Sequence, residues 1–318
     1  MDFTQITQLA ENLKRNIASV VVGKADAVDL LLIALISSGH VLLEEVPGTG
    51  KTLLAKTMAK SLNCTFKRIQ FTPDLLPSDL SGINFFNQKQ NEFEFRPGPL
   101  FSHIVLADEI NRATPRTQSS LLECMEERQV SIDGKTKSLE RPFIVLATQN
   151  PVDNQGTFPL PEAQLDRFLL KIKLGYPTNE EGVSILKRFK EQDPLNNVKA
   201  VAGREEVNES QEIYSQVTVN EDLLAYIVEI AEQTRNHHEV ALGVSPRGTQ
   251  ALLKAVQVFA ILKGRDYVLP DDVKTLVKPV LAHRILLKNR MRSADDQIEA
   301  VLDDVLSHTP VPTEEKIG

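Results

Sequence analysis

The 318-residue chain is predicted to be an α/β protein, with a parallel sheet flanked by helices and then a C-terminal all-helical domain. Three observations predict this. Five short apolar runs alternate with helical patterns over the first two-thirds. A glycine-rich turn follows the first run, and a pair of acids closes the third. After about Gly175 the strand signals stop.

The five runs cover residues 40–46, 64–71, 103–109, 142–150 and 168–174. Each is short, rich in branched residues and bounded by turn or polar residues, the pattern of a buried strand. Between them KTLLAKTMAKSL and TPRTQSSLLECMEER read as helices, and such alternation calls for a mostly parallel sheet. Further on, residues 221–235 place Leu223, Leu224, Ile227, Ile230 and Ala231 on one helical face. Residues 272–287 do the same with Val273, Leu276, Val277, Val280 and Leu281, and residues 297–306 with Ile298, Val301, Leu302 and Val305. Two domains are therefore expected, 1–175 and 176–318.

Composition narrows the function classes. Apolar residues make up 42% and charged residues 25%, ordinary for a globular protein with a full core. No run of 18 apolar residues exists, so no membrane span is expected, and the acidic, amphipathic N-terminus lacks the plan of a signal peptide. The two cysteines, Cys64 and Cys124, are far apart without metal-ligand spacing, which suits a reducing cytoplasm. A net charge of −7 disfavours broad binding to nucleic acid.

The strongest motif is PGTGKT, residues 47–52, between an apolar run and a helical pattern. Phosphate binding needs backbone N–H groups converging without side chains in the way, which accounts for Gly48 and Gly50 around Thr49. The following helix adds its positive end. Lys51 can reach the β- and γ-phosphates, and the Thr52 hydroxyl can ligand Mg²⁺. Where the strict pattern asks for glycine, position 45 is Glu45. The second motif is HIVLADE: Asp108 is suited to hold the metal and Glu109 to polarise the attacking water. A strand ending in two acids is weak by itself. One strand–helix unit after Lys51 it gains force, and it favours hydrolysis over a kinase reaction. The third is ATQNP, residues 147–151, where Asn150 could position that water or sense the γ-phosphate.

Two arginines complete the set. Arg167, before the last strand, could act as a finger supplied in trans. Arg247, in SPRG, stands in the first turn of a helix, where a cation is locally unfavourable and an anion partner would explain it.

In this order PGTGKT, LADEINRATPRTQSSLLECMEERQV, ATQNP, LPEAQLDRF and SPRG resemble the MoxR family of AAA+ ATPases, from about Val20 to the last helices. The resemblance implies a P-loop AAA+ core with a helical lid domain, binding ATP and Mg²⁺ through Pro47, Gly48, Thr49, Gly50, Lys51, Thr52 and Asp108. VVGKADAV is similar to the family's VVGQ segment beside the adenine, which implies base contacts from Val22 and Gly23, with Lys24 replacing the glutamine. Residues 81–99 and 130–139 resemble the two hairpin elements of this clade, making Lys135 and Lys137 candidate contacts for a partner. The resemblance further implies a homo-oligomeric ring, a hexamer by family expectation, with Arg167 reaching the next subunit's ATP. Whether Arg247 acts in cis or in trans is left open. The implied role is chaperone-like remodelling, maturation or metal/cofactor insertion of a protein partner, of a kind that includes proteins with a von Willebrand factor type A domain. A nucleic-acid motor and a slow nucleotide-dependent switch are the alternative readings.

Overall fold

The computed structural model describes residues 1–44, 48–149, 157–190, 193–289 and 294–312. Helices α1 (Phe3–Ala18) and α2 (Ala25–Ile36) lead into β1 (Val41–Glu44), α3 (Lys51–Ser61), β2 (Phe66–Gln70) and α4 (Pro77–Ser81). A hairpin of β3 (Gly82–Asn87) and β4 (Glu92–Pro97) precedes β5 (Ile104–Asp108) and α5 (Pro115–Glu127). A second hairpin, β6 (Gln129–Ile132) and β7 (Lys135–Ser138), leads to β8 (Ile144–Gln149), α6 (Glu162–Leu165) and β9 (Leu170–Lys173). The remainder comprises α7 (Asn179–Phe189), α8 (Arg204–Ile213), α9 (Glu221–Asn236), β10 (Val240–Leu242), α10 (Pro246–Leu262), α11 (Pro270–Leu281), β11 (Leu286–Leu287) and α12 (Ala294–His308).

Each of the five apolar runs contains a strand. They pair in parallel in the order β2-β5-β8-β1-β9. Both faces of the central strands β5, β8 and β1 are buried, which is why their runs read as continuously apolar, whereas the outer β2 and β9 carry exposed lysines and arginine. Val41, Leu43, Ile104, Leu106, Ile144 and Leu146 face one core, while Leu42, Val105, Ala107, Val145 and Ala147 face the other. Helix α5 covers the second face with Leu121, Leu122 and Met125.

The first face is covered by α1, α2 and α3, and its core runs on without interruption into α9, α10, α11 and α12. Helix α1 starts at a capping box, Asp2 with Gln5. It buries Ile6, Leu9, Leu13 and Ile17, and Thr7 donates 2.8 Å to the Ile261 carbonyl at the end of α10.

The C-terminal part is helical but for one departure from the all-helical expectation: β10 and β11 form a short antiparallel pair. The turn after α9 and the turn after α11 satisfy each other's backbone groups there. Segments of three and two residues are too short to leave a periodic trace in sequence.

Both hairpins form antiparallel ladders. In the second, Asp133 and Gly134 have φ of 48° and 75°, the left-handed pair that a tight two-residue turn requires. Asn84 donates 2.7 Å to Asp133, and Lys137 lies 4.4 Å over the Phe95 ring, so the two hairpins brace each other.

Candidate functional site

Parallel strands deliver their carboxyl ends to one edge, so the ends of β1, β8 and β5, three consecutive neighbours, meet there. Gly48 and Gly50 have φ of 87° and 91°, and no atom lies within 4 Å of where a Cβ would stand on either. The loop thus needs glycine for its backbone and presents that backbone bare. Gly50 caps α3 with no side-chain cap hydrogen bond, and a helix N-terminus of this kind favours an anion. Lys51 and the half-buried Thr52 open that helix. Pro47 and Asn150 lie outside the described residues.

Lys51 Nζ is 2.5 Å from Asp108 Oδ1. Asp108 is only 2% exposed and holds partners on both oxygens. Thr148, from the intervening strand β8, donates 2.8 Å to Oδ1. Arg68 on β2 donates to Oδ2 through Nε at 3.0 Å and Nη2 at 2.5 Å. Burial alone would raise the carboxyl pKa, but the hydrogen bonds from Lys51, Arg68 and Thr148 outweigh it and hold Asp108 below its ordinary range. It is therefore a carboxylate, as a metal ligand must be.

Glu109 sits just past the strand with φ 56° and ψ 51°, a left-handed conformation that costs a glutamate about 1–3 kcal/mol. Its amide donates 2.8 Å to Thr148 Oγ1. Its Oε2 accepts from Gln70 at 2.8 Å and lies 3.2 Å from Arg112 Nε. Thr148 thereby fixes both acids at once. Bare glycine backbone, an open helix N-terminus, a lysine, a threonine and an ionised aspartate form a donor set that fits a magnesium nucleotide.

Gln70 and Arg68, outside every motif, and Thr148, inside ATQNP but given no role there, carry further parts of this site. The register holds the missing signal: Gln70 stands beside Asp108 in the β2–β5 ladder, and Arg68 shares its face two residues earlier.

Beside β9, a cleft of about 580 Å³ is lined by Val21, Gly23, Leu174 and Glu181. Val22, half-buried, lies between two of its walls in sequence. Gly23 has φ 71°, which favours glycine there, and it packs so closely on the Glu181 side chain that a Cβ would push the carboxylate aside. Lys24 donates 3.0 Å to the Gly175 carbonyl, which ties down the side chain standing where the family has glutamine.

The two arginines lie elsewhere. Arg167 precedes β9, and Leu169 donates to the His40 carbonyl ahead of β1, at the amino edge of the sheet. Helix α5 runs back from the carboxyl edge and ends there with Glu126. Glu126 Oε2 is 2.9 Å from Arg167 Nε, and Glu126 Oε1 pairs with Arg247 Nη2. The anion anticipated for Arg247 is thus supplied within the chain. Strands of four to six residues, at roughly 3.3 Å per residue, separate this cluster from Lys51 and Asp108 by about 15–20 Å.

A buried group supports both arginines. Arg284, 2% exposed at its side chain, donates 2.8 Å to Asp166 Oδ1. Ser245, the N-cap of α10, donates 2.7 Å to Asp166 Oδ2. Asp166 therefore joins the residue before Arg167 to the helix that carries Arg247. Burial lowers the Arg284 pKa to about 10 against the opposing pull of Asp166, so the guanidinium stays charged at neutral pH.

Among known proteins, the ATPase family associated with various cellular activities (AAA) matches residues 40–170, and the AAA lid domain matches residues 232–305. The YeaC protein of Bacillus subtilis is 49% identical, covering 94% of this chain and 93% of its own. The chaperone MoxR1 of Mycobacterium tuberculosis is 41% identical, over 92% and 80%. The MoxR protein of Paracoccus denitrificans is 32% identical, over 92% and 93%. A crystal structure from Cytophaga hutchinsonii, assigned as an ATPase, superposes with a TM-score of 0.89 at 38% identity, covering 97% of this chain and 96% of its own. With the glycine loop, the paired acids and the helical C-terminal part in their places, the chain belongs to the MoxR family of AAA+ ATPases.

Proposed function

We propose that this protein hydrolyses ATP at shared sites between copies arranged head to tail in a ring, a hexamer by family expectation. Residues 1–175 form the nucleotide-binding unit and residues 176–318 the lid. The observation that carries the reading is the separation of its parts. Lys51, Asp108 and Glu109 stand at one edge of the sheet, and Arg167 with Arg247 at the other. A finger about 15–20 Å from its own phosphate site serves a neighbour's. The same placement favours a trans origin for Arg247.

In this site the loop that Pro47 opens, through the amides of Gly48 to Thr52, and the Lys51 ammonium hold the phosphates. Thr52 and Asp108 hold the metal, and Val22 and Gly23 border the base. Bound Mg²⁺ would neutralise charge on the β- and γ-phosphates. Glu109, steadied by Gln70 and Arg112, takes the proton of the attacking water, and Asn150 orients that water. Arg167 and Arg247 stabilise charge on the transferring oxygens.

The output is remodelling or maturation of a protein partner in the cytoplasm. Insertion of a metal or cofactor, or a partner carrying a von Willebrand factor type A domain, are the forms suggested by family resemblance. Its chaperone-named relative supports this. So do the paired hairpins, where Phe93 is 75% and Phe86 48% exposed. The cation–π contact of Lys137 is internal, which leaves the aromatic face rather than that lysine for a partner.

The test is a mixing assay. Glu109→Gln and Arg167→Ala proteins are each expected to be nearly inactive. Mixed 1:1, they regain complete sites at roughly a quarter of interfaces. A mixture that stays dead while labelled subunits demonstrably exchange would sink the trans role.

A further inference from the structure

Glu126 has no part in the scheme so far, yet it is where the two arginines meet. Its oxygens are divided between them, Oε2 to Arg167 and Oε1 to Arg247. The two cations come from different elements, and like charges brought together repel. One carboxylate between them offsets that repulsion and fixes their separation. It also sets them at the spacing of two oxygens on one centre, which is what the end of a triphosphate presents.

Two further observations bear on this. The Arg167 Nε–H lies buried and finds no hydrogen-bond acceptor among the described residues, although Glu126 is 2.9 Å away. The contact is ionic, and the N–H does not line up with it. A buried donor left without an acceptor is a costly arrangement that invites a functional explanation. The surrounding pocket, about 450 Å³, also gathers Arg128, Arg141, Lys254 and Arg284 against Glu126 and Asp166. Cations outnumber anions there, so loss of Glu126 would drive its two arginines apart.

We propose that Glu126 is a positioning residue: it holds Arg167 and Arg247 as a matched pair, aimed at the terminal phosphate in the neighbouring copy's site. This rests on the shared-site reading above. Glu126 touches no reacting atom. It acts through the arginines and belongs to the subunit that donates them.

The donor dependence gives the test. In the mixture of Glu109→Gln (donor) and Arg167→Ala (acceptor), Glu126→Gln is added to one partner at a time. On the donor it is expected to lower the recovered kcat about tenfold or more, with KM for ATP held within roughly twofold, because ATP is bound by the acceptor's own loop. On the acceptor it is expected to change either constant by less than about twofold. Glu126→Asp on the donor keeps the charge and is expected to fall between the two. Equal losses from either placement, as a folding defect would give, or no loss from the donor, would overturn the positioning role. Failure of the parental mixture to recover at all would overturn the shared site itself, and this inference with it.

Discussion

The two edges of the sheet are built on the same device, a carboxylate gripped by two cations, with opposite accessibility. At the carboxyl edge Asp108 is held by Lys51 and Arg68 at 2% exposure. At the amino edge Glu126 is held by Arg167 and Arg247, with Glu126 34% and Arg247 46% exposed. Burial shields the Asp108 carboxylate, with both oxygens hydrogen-bonded, although Arg68 itself is 47% exposed. The second cluster is open to water, where ion pairs contribute only about 0–1 kcal/mol. Its arginines can exchange one anion for another at little cost, as the proposed contact between copies requires.

That contrast can be broken by separating binding from turnover. Lys51→Ala is expected to weaken nucleotide binding at least tenfold, whereas Arg167→Ala should leave affinity within roughly twofold and lower turnover on the order of a thousandfold. Titration with a fluorescent ATP analogue, alongside phosphate release, checks both. Loss of affinity in the dilute Arg167→Ala protein would place the finger in its own site and erase the distinction.

The support beneath the amino edge should show in stability instead. Arg284→Met strands the Asp166 carboxylate, and breaking such a buried pair costs about 3–5 kcal/mol. Thermal melting should fall by roughly 5–15 °C, more than for Glu126→Gln. Equal melting of the two proteins would mean that the open cluster is as structural as the buried one.

The smallest effect concerns acid. Because the folded pKa of Asp108 is lowered, its contribution to stability is complete above the ordinary value of 3.8 and fades as the pH falls through the lowered one. Denaturant titrations at descending pH should show the gap between wild type and Asp108→Asn narrowing below that point. A constant gap would mean that shape, not charge, holds the carboxyl edge.

How much was legible in sequence follows the same division. The three central strands β1, β5 and β8 were readable because burial on both faces leaves uninterrupted apolar runs, and the outer two from their branched residues and bounding turns. The convergence of Lys51 and Asp108 was readable because a glycine turn after one strand and an acid pair closing another, one strand–helix unit later, come to the same edge of a parallel sheet. Arg68 and Gln70 were hidden, since polar residues on one face of an apparent edge strand look solvated until pairing sets them beside Asp108. Glu126 was less visible still. Its partners lie 41 and 121 positions away, and only the return path of α5 brings them together. Whether Arg247 acts in cis or in trans was undecided in sequence, because its place at the amino edge of the sheet depends on strand direction rather than on any motif.

The N-terminal helix has a practical bearing on how this chain can be cut. The matched family segment begins at residue 40, which invites trimming everything before it. Yet Ile6, Leu9, Leu13 and Ile17 are at most 4% exposed, in the core that α10 completes from the other end of the chain. At about 1.5–3 kcal/mol for each such side chain, four of them amount to roughly 6–12 kcal/mol, comparable to the whole stability of a typical domain. The smallest piece able to fold is therefore longer than the piece that bears the family's signature, and an affinity tag belongs ahead of residue 1 rather than in place of the helix.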